Sequence, residues 1–288
     1  MKRIIFAVIM LISLNACNRT ASVAEISLQD QMIGITSVHN ARQLGGYVIG
    51  DKQIKEDLLI RSARLSSLSE ADSTLLADKF RLQRVYDFRG NDETQSAPDV
   101  IPGNAAYLSL ALSFASSNSP SVHFETEAER IAMLLENAEN PLVQELCNTM
   151  YDKIFFEKSS MEVYRRFFED LASIDPDNGA VLWHCTQGKD RGGSASAMLL
   201  AALGADRSLI MADFELSKSY YDSFTSSIKT ETEAQRHVIS TLISVNPVVF
   251  EKTLDKVDAE YGSLRNYLTK CLGVTDEMME TLREKFLK

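Results

Sequence analysis

Ala180-Val181-Leu182-Trp183-His184-Cys185-Thr186-Gln187-Gly188-Lys189-Asp190-Arg191-Gly192-Gly193-Ser194 leads into Ala195-Ser-Ala-Met198-Leu199-Leu-Ala-Ala202-Leu203-Gly204. Val181 to Trp183 is a short apolar run rich in strand formers, and it follows the turn Asp175-Pro-Asp-Asn-Gly179, so it predicts a buried strand. Ala195, Met198, Leu199 and Ala202 recur on one helix face, and Gly204 stands where that helix would stop. Between strand and helix lies a glycine-punctuated loop with one cysteine and, six positions on, one arginine. The N–H groups of a tight loop and of a first helical turn have no intrahelical acceptor, and the helix dipole adds positive charge at the same point. A tetrahedral anion fits such a cradle, with Thr186, Gln187, Gly188, Lys189 and Gly192 forming its wall. Those N–H groups and the Arg191 guanidinium favour the charged form of Cys185, and Arg191 can grip two oxygens of a phosphoryl group at once. Attack of sulfur on phosphorus is the chemistry this set of groups supports.

A bare Cys-X5-Arg spacing is weak, but His184 directly before the cysteine and Gly188 within the loop make the pattern specific. These residues resemble the protein tyrosine phosphatase superfamily, whose loop reads His-Cys-X5-Arg. The form His-Cys-X-X-Gly-Lys-Asp-Arg is most similar to bacterial tyrosine phosphatases related to the secreted mycobacterial tyrosine/lipid phosphatase. The resemblance implies Cys185 as nucleophile, Arg191 as phosphate ligand, His184 as the residue orienting loop and thiolate, and Asp190 as general acid. Asp92 and Asp99 are outside candidates for that last role. Asn40-Ala41-Arg42-Gln43-Leu44-Gly45-Gly46 is similar to the family's Asn-X-Arg-Asp-Leu-Gly-Gly segment, with Gln43 in place of aspartate, and would bring Arg42 near the phosphate. A comparable Asp-Leu-Arg segment corresponds to Asp87-Phe88-Arg89, where Asp87 would pair with Lys189 or serve as a turn residue. Lysine at position 189 also occurs in phosphoinositide phosphatases, which often add a second lysine where Thr186 stands. Phosphotyrosine protein is therefore the expected substrate, with weaker phosphoinositide activity. After the arginine the family carries serine or threonine, and here the residue is Gly192.

Two other classes compete: a pseudophosphatase that binds phosphate without turnover, and a rhodanese-like sulfur transferase, which also uses a loop cysteine. Retention of both Cys185 and Arg191 argues against the first.

The start, Met1-Lys2-Arg3, is basic; Ile4 to Leu14 is an apolar run too short to span a bilayer, and Leu14-Asn15-Ala16-Cys17 follows. Residues 1–17 look like a bacterial lipoprotein signal, which would leave a lipidated Cys17 anchoring the chain in the cell envelope, outside the cytoplasm. Residues 18–34 suit a tether. Removing 1–17 takes away Lys2 and Arg3 and leaves 28 basic against 40 acidic residues, a formal charge of −12. Nucleic acid is thus not an expected partner. No histidine or cysteine pair has ligand spacing, so neither metal nor cofactor is expected. Cys147 and Cys271 are read as buried thiols, with a bridge between them left open.

Strands are expected at Asp57–Arg61, Arg84–Phe88 and Ala105–Leu110, and a helix capped near Ser69. Together they predict a three-layer α/β domain over 35–288, with a mainly parallel central sheet flanked by helices. A helical insertion occupies about 113–172, with Pro141 interrupting it, and forms either a lid or a cover for one sheet face. Further helices are expected over Asp206–Asp222, Glu231–Ser244 and Pro247–Tyr261, then two short ones parted by Gly273.

Overall fold

Val181, Leu182, Trp183 and His184 form the central strand, and all four are buried. Alternate side chains serve opposite faces: Val181 and Trp183 join one apolar cluster, Leu182 the other. The computed structural model describes residues 27–112 and 126–288. Its strands are β1 (Arg42–Gln43), β2 (Val48–Ile49), β3 (Lys52–Gln53), β4 (Leu59–Ser62), β5 (Arg84–Asp87), β6 (Ala106–Ser109) and β7 (Val181–His184). The main sheet runs β1-β4-β7-β5-β6, antiparallel only at β1, while β2 and β3 make a separate hairpin.

The helix Glu70–Asp78 covers one face of the sheet, where Leu76 and the following Phe80 meet Ile60, Val85 and Leu182. Ser69 caps it by accepting the N–H of Asp72 at 3.1 Å. The other face carries the helices Lys158–Ser173 and Arg191–Leu203 and a larger cluster. There Phe167 packs edge-on against both Tyr86 and Trp183. Helices on both faces of a mostly parallel sheet make the expected three-layer architecture.

The last helix of the insertion covers a sheet face. Lys158–Ser173 buries Phe167, Phe168 and Leu171 over the sheet. Glu127–Glu136 instead joins Cys147 of the next helix and the segment Val238–Ile243 in a small core of its own. Pro141 does not break a helix but opens one, Pro141–Phe156, in the first turn where its missing N–H costs nothing; Asn140 caps it. Two other long helices expected from periodicity are broken. Arg207–Leu216 gives way to a tighter turn at Ser217–Tyr220, and Glu233–Val238 widens into a π-helical turn at Ile239–Ile243. Of the segment read as a tether, residues 27–34 pack on the domain, with Ile33 buried and Met32 bridging Arg42. The signal and Cys17 lie outside the described residues. No helix among the described residues is long and apolar enough to cross a membrane.

Candidate active site

The loop Cys185–Asp190 leaves the carboxyl end of β7, between β4 and β5, where open α/β sheets place their sites. Gly188 takes φ +68°, and a Cβ there would sit 2.3 Å from the Ser62 carbonyl oxygen, so only glycine permits this approach. The loop's carbonyls are turned outward and bound. Arg64 N–H donates to Thr186 O at 3.3 Å, Tyr221 Oη and Asn40 Nδ2 to Gln187 O at 2.6 and 3.2 Å, and Arg61 Nη2 to Gly188 O at 2.7 Å. Among the described residues, the N–H groups of Thr186 to Asp190 donate to no acceptor. The first satisfied amide of the following helix is that of Ser194, bonded to Asp190 O at 2.8 Å. Bound carbonyls beside amides with no acceptor among the described residues are the electrostatics of an anion nest.

Cys185 is a free thiol at the root of this loop, 2% exposed. Arg191 opens the helix Arg191–Leu203, its backbone carbonyl held by Tyr164 Oη at 2.9 Å. Its guanidinium reaches across to Glu93, Nη1 to Oε2 at 2.6 Å and Nη2 to Oε1 at 2.8 Å, and Nη2 also lies 3.3 Å from Thr186 Oγ1. Burial works to raise the Glu93 pKa, but the bonds to Arg191 outweigh it and bring it down to about 2. Burial likewise opposes the charge on Arg191, and Glu93 together with Cys185 raises its pKa above the ordinary arginine value. Asp190 and Arg191 line a cleft of about 570 Å³. Gly90 to Glu93 form one wall; Leu146, Met150 and Ile154 of the insertion and Leu242 form the apolar opposite wall. Tyr151, on the same insertion helix, donates to Asp190 Oδ1 at 2.7 Å.

Lys189 departs from the expectation. It is fully buried, and its ammonium faces Ser244 O at 2.5 Å, Thr241 O at 3.3 Å and Asp190 Oδ2 at 3.5 Å. Three acceptors for three protons leave nothing to offer a substrate, and burial draws the lysine pKa below its ordinary value. Lys189 therefore braces the loop against the π-helical turn. Its expected pairing with Asp87 is absent: Asp87 takes both Nε and Nη2 of Arg89, at 3.0 and 2.7 Å, and the Tyr107 hydroxyl at 2.8 Å. Burial disfavours charge on Asp87, yet His184 and Arg89 outweigh it and hold its pKa below the usual range. The reason is position: Arg89, two residues on, lies within bonding distance of Asp87, while the Lys189 ammonium is held by Ser244, Thr241 and Asp190. His184, fully buried, lies with Nε2 3.2 Å from Asp99 Oδ2 and Nδ1 3.3 Å from Cys185 O. Asp87, Asp99 and His184 together resemble a metal cluster, but Arg89 Nη2 sits 2.7 Å from both carboxylates and already supplies the counter-charge.

Arg42 serves the site from behind. It donates to Asn40 Oδ1, to Asp213 Oδ1 at 3.3 Å and to Ser217 Oγ at 3.1 Å, and Asn40, held at φ +56°, reaches the loop at Gln187. Asp213, which the sequence gave no reason to single out, also pairs with Arg61 at 2.5 Å and accepts from Tyr47 at 3.0 Å. Glu93, Tyr151, Arg61 and Asp213 were all invisible to motif reading. One signal existed for Glu93: it stands three residues past Gly90, whose N–H it caps at 2.8 Å, next to the Asp-Phe-Arg strand end.

A mainly parallel sheet whose central strand ends in a free cysteine, an amide-lined nest and an arginine is the framework of a phosphate-handling α/β protein. The chain belongs to the tyrosine phosphatase family, whose model matches residues 33–288. A candidate tyrosine-protein phosphatase of Cupriavidus necator is 26% identical over 251 residues, 84% of this chain and 84% of that protein. A tyrosine-protein phosphatase of Nostoc commune is 24% identical over 174 residues, covering 59% of this chain and 51% of that protein. The solved structure of the Siw14 catalytic core aligns with 78% of this chain and 93% of its own at 10% identity, with a TM-score of 0.31.

Proposed function

We propose that this phosphatase hydrolyses phosphotyrosine in proteins through a phosphocysteine intermediate. The observation that supports it most is the row of unpaired amides from Thr186 to Asp190 over a free cysteine. The phosphoryl oxygens take these N–H groups and Arg191, which releases part of its hold on Glu93. Cys185 Sγ then bonds phosphorus as the ester P–O bond breaks, and Asp190 gives its proton to the departing oxygen. In the second step water attacks the phosphocysteine and loses a proton to Asp190, and the S–P bond breaks to release phosphate and thiolate. The apolar wall of Leu146, Met150 and Ile154 suits an aromatic ring behind the phosphate. Phosphoinositide hydrolysis is the weaker arm of this reading, because buried Lys189 offers no second cation. The Lys2–Arg3, apolar run and Cys17 start supports lipid anchoring outside the cytoplasm, tested by loss of membrane fractionation in Cys17→Ser.

Cys185→Ser is expected to abolish release of phosphate from an aryl phosphate while binding of a non-covalent phosphate analogue such as tungstate survives, since the nest remains. Substantial residual turnover in that variant would exclude the covalent route; thiocyanate formation from thiosulfate by the native protein would favour sulfur transfer instead.

A further inference from the structure

A second concavity lies on the far side of the π-helical turn Ile239–Ile243, an open groove of about 890 Å³. Leu242 of this turn faces the catalytic cleft while Ile239 and Ser240 face the groove, so a single turn of chain separates the two. Two bonds tie the groove's walls to the catalytic loop. Ser244 accepts from Lys189, and Tyr221, which precedes groove residue Asp222, donates to Gln187.

Polar and apolar residues share the groove's lining, and its cations are unspent. Lys218 and Arg236 line it, exposed, and neither makes an ion pair or side-chain hydrogen bond among the described residues. Asp222 is the carboxylate on the same wall, leaving one net positive charge in a protein of formal charge −10. Ser244 Oγ, in a residue 5% exposed, has no partner among the described residues.

We infer that this groove is a substrate subsite for an acidic polypeptide segment flanking the phosphorylated residue, an inference that rests on the protein-substrate reading above. Only the turn Ile239–Ile243 parts the cleft from the groove, so a chain that continues from the phosphotyrosine across this turn enters it. There its carboxylates meet Lys218 and Arg236, and its backbone meets the groove's hydroxyls. A membrane fits worse. A bilayer presents a plane, which cannot enter a trough.

The test uses the full chain and phosphotyrosine peptides matched in length, with three glutamates or three glutamines on one side of the phosphotyrosine. Wild type should show kcat/KM roughly fivefold higher for the acidic peptide, consistent with two rim ion pairs. Lys218→Ala with Arg236→Ala should bring the ratio to near one and leave turnover of para-nitrophenyl phosphate unchanged. Charge reversal at both positions should reverse the preference toward a lysine-flanked peptide. Binding of the same peptides to Cys185→Ser reads the subsite without turnover, so a failure of the proposed chemistry is told apart from a failure of the groove. Equal affinity for the two peptides, or a preference that survives the double substitution, overturns the subsite. So does a groove-dependent affinity for vesicles of phosphatidylglycerol and phosphatidylcholine without any peptide preference.

Discussion

Glu93 grips both terminal nitrogens of Arg191, at 2.6 and 2.8 Å, although 98 residues separate them in the chain. These are the nitrogens a phosphoryl group needs. The pair keeps the arginine extended toward the cleft, and a substrate dianion must displace at least one carboxylate oxygen to enter. Glu93→Gln should therefore tighten vanadate inhibition and lower KM by roughly three- to tenfold, at a stability cost of about 1 kcal/mol after allowing for the exposure of Glu93. The folded pKa of about 2 lies below the ordinary 4.5, so the stabilisation is present above pH 4.5 and is lost as pH falls toward 2. Urea unfolding of wild type and variant should show a gap near neutrality that closes over that range.

Asp190 lines the cleft beside Arg191, with Tyr151 donating to one oxygen and Lys189 near the other. Asp190→Asn should slow the first step, phosphocysteine formation from a phosphotyrosine peptide, by about 100-fold or more and change the burst rate with para-nitrophenyl phosphate little, since nitrophenolate leaves without a proton. Tyr151→Phe should reduce the peptide rate by roughly tenfold by freeing the carboxyl. An unchanged peptide rate in Asp190→Asn would assign the acid elsewhere.

The cysteine loop was legible because everything that makes it lies in one unbroken run: the apolar stretch Val181 to Trp183, a glycine at the tight point, and a helix buried from Gly192 to Leu203 with its stop at Gly204. Its supports were not, because they meet only when the sheet forms. Arg61 and Asp213 pair across 152 positions, and no local pattern marks either. Lys189 was misread for a related reason. Its motif suggests a cation facing phosphate, but the helical period over Glu231–Ser244 concealed the widened turn whose unpaired carbonyls capture it. Periodicity reports which face is apolar and is blind to one extra residue per turn.

The brace reading of Lys189 is itself testable. Lys189→Met should leave the ratio of phosphoinositide to phosphopeptide turnover unchanged while costing about 2–4 kcal/mol, because two buried carbonyls and Asp190 lose their donor. Folded Lys189 binds its proton less tightly than the unfolded chain, so wild type gains stability as pH rises from its lowered pKa toward 10.5, and the variant lacks that gain. A changed substrate ratio at constant stability would return Lys189 to the substrate side.

Gly192 follows Arg191 where relatives of the motif carry a hydroxyl able to hydrogen-bond the departing thiolate when water cleaves the phosphocysteine. Here that donor is missing, and Ser194 Oγ, two residues on, is buried without a partner. A lost hydrogen bond to charged sulfur is worth about 1.5–3 kcal/mol, which slows the second step by roughly ten- to a hundredfold and makes it limiting. The expected trace is a burst of aryl alcohol stoichiometric with enzyme, then a slow steady state. Gly192→Ser should raise the steady rate by roughly tenfold and shrink the burst. The substitution has room, since a Cβ at Gly192 would meet nothing nearer than 3.9 Å, and the backbone there is already the first turn of a helix. Rapid-quench measurement of both proteins decides the matter: no burst in wild type and no gain in the variant would show that Ser194 or water already serves the leaving thiolate.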